Sequence, residues 1–123
     1  MTIINKKILV IDDDPDILEA LRLMLEASGY HVSTSPKGEY VDQLTKETMP
    51  DLFLLDVLLS GSDGRDIAKK LKSNTCTEQI PIILISADPS VSRNFHICGA
   101  DDFVAKPFDV DFLLQRIKDQ FKN

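Results

Sequence analysis

The stretch KILVIDDDPDIL, residues 7–18, decides the fold. Ile8-Leu9-Val10-Ile11 is an apolar run without alternation, as expected of a strand covered on both faces. Three acids, Asp12, Asp13 and Asp14, follow at once, and Pro15 comes next. Asp14 before Pro15 reads as a helix cap with proline at the first helical position. Ile17, Leu18, Leu21, Met24 and Leu25 then make one apolar stripe, which Gly29 ends. A covered strand that turns through an acidic loop into an amphipathic helix is one α/β unit.

The same grammar repeats along the chain. Leu52-Phe53-Leu54-Leu55 and Ile82-Ile83-Leu84-Ile85 are further unalternating runs, and Phe103-Val104-Ala105 is a shorter one. Residues 30–35 are more polar and predict an edge strand. Helical spacing recurs over residues 38–47 through Tyr40, Val41 and Leu44, and over residues 64–73 through Ile67, Ala68 and Leu71. It returns over residues 90–98 through Val91, Phe95 and Cys98. A last helix, capped by Asp109, carries Val110, Leu113, Leu114, Ile117 and Phe121. Five strand-then-helix units predict an α/β fold with right-handed crossovers. Five units suit an open, doubly wound, flavodoxin-like parallel sheet with five helices better than a closed barrel of eight. One domain over residues 1–123 is expected.

Composition narrows the function. The chain has 123 residues, 43% of them apolar, and a formal charge of −6. That is enough apolar residue for one core, which makes intrinsic disorder a poor fit. The acidic balance argues against direct nucleic-acid binding, which needs a basic patch. No apolar run approaches the roughly 20 residues that cross a bilayer, and the start lacks a signal-peptide core, so no membrane role and a cytoplasmic address are expected. Cys76 and Cys98 sit in no metal-binding spacing and read as idle thiols. His31 and His96 read as surface or edge residues, not phosphate donors.

In open parallel sheets, ligands bind beyond the carboxyl ends of the strands. The residues expected there are Asp12, Asp13 and Asp14 after the first strand, Asp56 after the third, Ser86 after the fourth and Lys106-Pro107 after the fifth. Taken singly, these are ordinary turn residues, helix caps and surface charges; taken together they are not. Carboxylates that converge repel, so without a cation at least one should have a raised pKa. Mg²⁺ removes that conflict, being a hard ion that accepts a few carboxylates and keeps positions for water and phosphate. It would leave Asp56 ionised and able to attack phosphorus, with Lys106 and the Ser86 hydroxyl complementing the phosphoryl oxygens.

On these residues the chain resembles the receiver domain of two-component response regulators. The segments that carry the likeness are KILVIDDDPDIL, PDLFLLDVLLSGSDG, PIILISA and GADDFVAKPF, and it extends from Lys7 to about Phe121. The resemblance implies strand order 2-1-3-4-5. It implies that Asp56 is the phosphorylated residue, that Asp13 binds Mg²⁺ directly and Asp12 through water, and that the Leu58 carbonyl completes the protein's share of the shell. By the same likeness Ser86 is the switch hydroxyl, Phe103 the switch aromatic, and Lys106, before a cis peptide to Pro107, the partner of the phosphoryl group. The donor would be a phosphohistidine on a sensor histidine kinase or a histidine phosphotransfer protein. The surface of the fourth helix, fifth strand and fifth helix would then switch, acting on a downstream output protein or domain or pairing in a homodimer. Arg116, with Asp101 and Asp102, is a candidate for ion pairs across such a dimer.

Several positions depart from the family pattern. Ser60 stands where the family commonly has proline, which frees backbone φ and predicts a looser loop. Phe103 replaces a frequent tyrosine, and without a hydroxyl it should favour the buried rotamer. Leu58 cannot orient an attacking water, which predicts a longer-lived acyl phosphate, unless Asp88 positions that water instead. Two other readings use similar residues. A phosphatase resembling the haloacid dehalogenase superfamily would use Asp12 as nucleophile with Asp14 nearby, but its lysine should precede the acidic pair Asp101-Asp102, and here it follows. A flavin or nucleotide carrier would need a Gly- or Ser/Thr-rich phosphate loop where this chain has Asp-Asp-Asp-Pro. No output region follows Asn123 in this sequence, which fits a stand-alone receiver or one cut from a longer chain.

Overall fold

A computed structural model describes residues 5–122. Five strands form one parallel sheet: β1 (Lys7–Ile11), β2 (His31–Ser35), β3 (Leu52–Asp56), β4 (Ile82–Ser86) and β5 (Asp102–Ala105). Their spatial order is β2-β1-β3-β4-β5, as the resemblance implied. The order reverses beside β1, so β1 and β3 lie next to each other at the centre, and their carboxyl ends open on the same edge.

The unalternating runs are explained by the two cores. Leu9, Ile11, Phe53, Leu55, Ile82 and Leu84 project to one face, where Ile67, Ala68 and Leu71 of α2 (Gly64–Lys72) meet them. Ile8, Val10, Leu52, Leu54, Ile83 and Ile85 project to the other. There they meet Leu18, Leu21 and Leu25 of α1 (Pro15–Ala27) and Leu113 and Ile117 of α4 (Val110–Phe121). Successive side chains point to opposite faces, so a strand covered on both sides must be apolar at every position.

Three helices start at aspartate caps. Asp14 accepts the amide N–H of Asp16 at 2.9 Å, Asp63 that of Arg65 at 2.8 Å, and Asp109 that of Asp111 at 3.0 Å. Each bond satisfies a donor that the first helical turn leaves free. Pro15 occupies the first turn of α1, as the sequence predicted.

Two expected helices are shorter or tighter than their spacing suggested. Over residues 38–47 only a 3₁₀ helix forms, Gly38–Gln43, and Leu44 is already extended. The Thr45 amide donates to Thr48 Oγ1 at 2.8 Å and the Thr48 amide to the Thr45 carbonyl at 3.1 Å, a local turn that competes with helix. Over residues 90–98, a single α turn, α3 (Val91–Asn94), passes into a 3₁₀ helix, Phe95–Cys98, which Gly99 ends at φ 91°. No side chain caps either segment.

The ion pairs offered for a dimer are made within the chain. Arg116 holds the buried Asp102 with two hydrogen bonds, 2.6 and 2.5 Å long. Asp101 instead accepts the Ile82 amide at 2.9 Å and pairs with Lys72 at 3.0 Å. Asp102 opens β5 and is buried, and burial of a carboxylate calls for a paired cation, which Arg116 of α4 supplies.

Candidate functional site

A strand covered on both faces leaves polar side chains one place to gather, its end. Among the described residues the buried polar or charged side chains include Asp12, Asp56 and Ser86, which stand just past β1, at the end of β3 and at the end of β4. Asp12 is 2% exposed and Asp56 5%. Asp13 joins them: Asp12, Asp13 and Asp56 each offer one carboxylate oxygen, and these oxygens all lie within 4.8 Å of one another.

Lys106 enters the cluster from the far side. Its Nζ lies 3.0 Å from Asp12 Oδ2 and 3.4 Å from Asp56 Oδ2, and the Lys106-Pro107 peptide is cis. The Lys106 amide also donates to the Ser86 carbonyl at 2.9 Å, which ties the ends of β4 and β5 together. Ser86 Oγ accepts the Asp88 amide at 3.0 Å.

The electrostatics follow from the geometry. Burial pushes the Asp56 carboxyl up to about 6 and the Asp12 charge adds to the push, while Lys106 and the Leu58 amide pull it partly back. Burial works against the Lys106 ammonium, but the hydrogen bond to Asp12 and the charges of Asp56 and Asp12 outweigh it, so its pKa lies above the ordinary value. The raised acid anticipated from converging carboxylates is thus Asp56. Three hard oxygen donors around one point, with one carboxyl held high by burial and by the neighbouring Asp12 charge, fit a divalent cation of the Mg²⁺ type.

The loop after β3 is shaped by two residues whose roles the sequence did not announce. Leu58–Leu59 and Ser62–Asp63 pair as a short antiparallel hairpin around Ser60 and Gly61, and Gly61 takes φ 80°. Ser60 Oγ donates to Asp13 Oδ2 at 2.8 Å. At the position where the proline is missing, the loop makes this bond to the acidic cluster. Gly64 returns the chain to the end of β3, its amide donating to the Val57 carbonyl at 2.8 Å. The quoted SGSDG segment contained both residues, but no spacing rule marks a contact between segments 47 positions apart.

The other expected residues stand around this centre. Phe103 is half-buried on β5 and stacks on Phe95, ring centroids 6.3 Å apart and planes 20° from parallel. Leu58, two residues beyond Asp56, is 73% exposed. Asp88 is exposed, and its Oδ1 accepts the Ser90 amide at 2.9 Å and the Ser90 hydroxyl at 2.8 Å, which hold it below the usual carboxylate range.

Comparison with known proteins agrees with this arrangement. The response regulator receiver domain family matches residues 8–118. The phosphate regulon transcriptional regulatory protein PhoB of Rhizobium meliloti is 36% identical over 114 residues, which cover 91% of this chain and 50% of that protein. This chain therefore spans about half the length of the curated relatives it matches. A response-regulator crystal structure from Chloroflexus aurantiacus superposes with a TM-score of 0.90 at 32% identity, covering 97% of this chain and 99% of that one. The response regulator TrrA of Thermotoga maritima, crystallised with Mg²⁺ and BeF, superposes with a TM-score of 0.84 at 30% identity, over 94% of this chain and 99% of that one. With strand order, acidic cluster and family match in agreement, the chain belongs to the response regulator receiver domains.

Proposed function

We propose that this receiver accepts a phosphoryl group onto Asp56 from a phosphohistidine of a sensor histidine kinase or a histidine phosphotransfer protein. The observation that carries the reading is Lys106 Nζ, set between Asp12 and Asp56 beside three converging carboxylates. A carboxylate oxygen of Asp56 attacks phosphorus, the P–N bond of the donor breaks, and its electron pair returns to the imidazole. The product is an acyl phosphate, which water later cleaves at phosphorus to restore the carboxylate. Asp12, Asp13, Asp56 and the Leu58 carbonyl would hold Mg²⁺, which when bound neutralises the acids and shields the incoming phosphoryl charge. Lys106 stands ready to bond a phosphoryl oxygen, its charge fixed by Asp12.

Switching follows from new charge at position 56. The Ser86 hydroxyl exchanges its bond with the Asp88 amide for one to a phosphoryl oxygen, and Phe103 moves into the vacated space. The fourth crossover, β5 and α4 then present a changed face to an output protein or domain, or to a second copy of the chain. Relatives of twice the length are transcriptional regulators, so such an output lies naturally in another domain or protein, while this acidic segment makes no direct nucleic-acid contact. The cytoplasm is the compartment this reading implies.

The test is incubation with Mg²⁺ and a small phosphodonor, followed by mapping of the label. Label on Asp56, lost in Asp56→Asn, with shifts in the amides of residues 87–109, supports the reading. Label on Asp12 would point to the phosphatase-like chemistry, and label that survives Asp56→Asn would overturn the assignment.

A further inference from the structure

We propose that Ser60 is a positioning residue that orients Asp13 for the divalent cation, in place of the proline common at this point in the family. The inference rests on the function proposed above and adds a residue to its metal site. The other members of the cluster are held by burial and by Lys106. Asp12 is buried, accepts the Asp14 amide at 3.0 Å through Oδ1 and binds Lys106 through Oδ2. Asp56 is buried and lies beside Lys106.

Asp13 is different. Among the described residues, the one hydrogen-bond donor to its carboxylate is the Ser60 hydroxyl at 2.8 Å. The backbone that carries this hydroxyl is held in a turn. Ser60 precedes Gly61 in a tight turn, closed by the pairs Leu58 with Asp63 and Leu59 with Ser62, and Gly61 supplies the left-handed conformation such a turn requires. The tight turn thus places one donor against the Asp13 carboxylate, whose remaining lone pairs are free for the cation.

Fixing a ligand's rotamer before the ion arrives removes part of the ordering cost of binding. Partners that orient ligating carboxylates typically change metal affinity about 10–100-fold. Ser60 is exposed and makes one bond, so the lower end applies.

The experiment is an NMR titration of the intact chain with Mg²⁺ for the parent, Ser60→Ala and Ser60→Thr, with the Asp13 χ1 couplings measured before metal is added. Ser60→Ala should weaken Mg²⁺ binding about tenfold and change Asp13 from one rotamer to an average of several. Ser60→Thr, which keeps the hydroxyl, should restore both, and the melting temperature without metal should be unchanged in each. Parent affinity in Ser60→Ala, or a Thr variant as weak as the Ala variant, would refute the role. A parent chain that neither bound Mg²⁺ nor took phosphate on Asp56 would overturn the proposed function itself. A parent that did both while Ser60→Ala bound normally would overturn this inference alone.

Discussion

Gly64 packs so closely on the backbone of Asp56 that a methyl group on its Cα would stand 2.1 Å from the Asp56 carbonyl oxygen. The obstacle is backbone, the carbonyl carbon lying 2.9 Å away and the Val57 Cα 3.0 Å, so no side chain can swing aside. Gly64 is also the first residue of α2, which makes the contact a joint between β3 and the next helix. Gly64→Ala should cost about 1–3 kcal/mol of stability, as overpacked sites do. Urea unfolding measures it, and slower phosphorylation should accompany it because Asp56 must shift.

Asp56 should weaken the metal-free fold at neutral pH. Its folded pKa of about 6 lies above the ordinary 3.8, so the folded state favours the protonated form. The stabilising contribution is full below the ordinary value and disappears as pH rises through the folded one. Asp56→Asn should therefore stabilise the metal-free protein at neutral pH by about 1–3 kcal/mol, with the gain shrinking toward acid. Thermal melts across pH check this; a variant no more stable than the parent at neutral pH would contradict it.

Lys106→Met removes the cation shared by Asp12 and Asp56. Since Lys106 opposes the upward push on Asp56, the carboxyl should titrate higher still in the variant. The metal-free fold should lose about 1.5–3 kcal/mol, the range for hydrogen bonds to charged groups. Mg²⁺ should recover much of it. Carbon NMR of the Asp56 carboxyl and melts with and without Mg²⁺ read both effects.

Arg116→Ala leaves the buried Asp102 without its two guanidinium bonds, though the Phe103 amide still donates to it at 2.8 Å. A loss of about 1–3 kcal/mol is expected, because a buried carboxylate is left underpaired. Denaturant unfolding measures it, and a loss within about 0.5 kcal/mol would mark a change confined to the surface.

Leu58→Asn places an amide two residues beyond Asp56, where an exposed side chain now offers no hydrogen bond. Loss of phosphate from Asp56 should accelerate several-fold, followed as decay of label after the donor is removed. An unchanged rate would show that water reaches the acyl phosphate without help from position 58.

What could be read from the sequence was local or periodic. Two-sided burial makes residues 8–11, 52–55 and 82–85 of β1, β3 and β4 unbroken apolar runs, so these strands declare themselves, and each parallel strand end must then carry whatever polar chemistry the protein has. Asp12, Asp13, Asp56, Ser86 and Lys106 were visible for that reason, and Asp14 and Asp109 because a helix start needs an acceptor within a few residues. Helix length was less legible: Thr45 and Thr48 satisfy each other's backbone at a distance of three residues, and a weak apolar stripe does not override them.

Contacts across the chain were decided only by the folded arrangement. Ser60 meeting Asp13, Gly64 meeting the Asp56 carbonyl, Phe103 stacking on Phe95 and Arg116 closing on Asp102 all depend on how separate loops and helices are set against the sheet. The physical reason is range. Propensity, capping and burial period act over a few residues and leave a trace in composition. A hydrogen bond or a backbone clash between distant segments depends on positions that exist only once the sheet has brought those segments together.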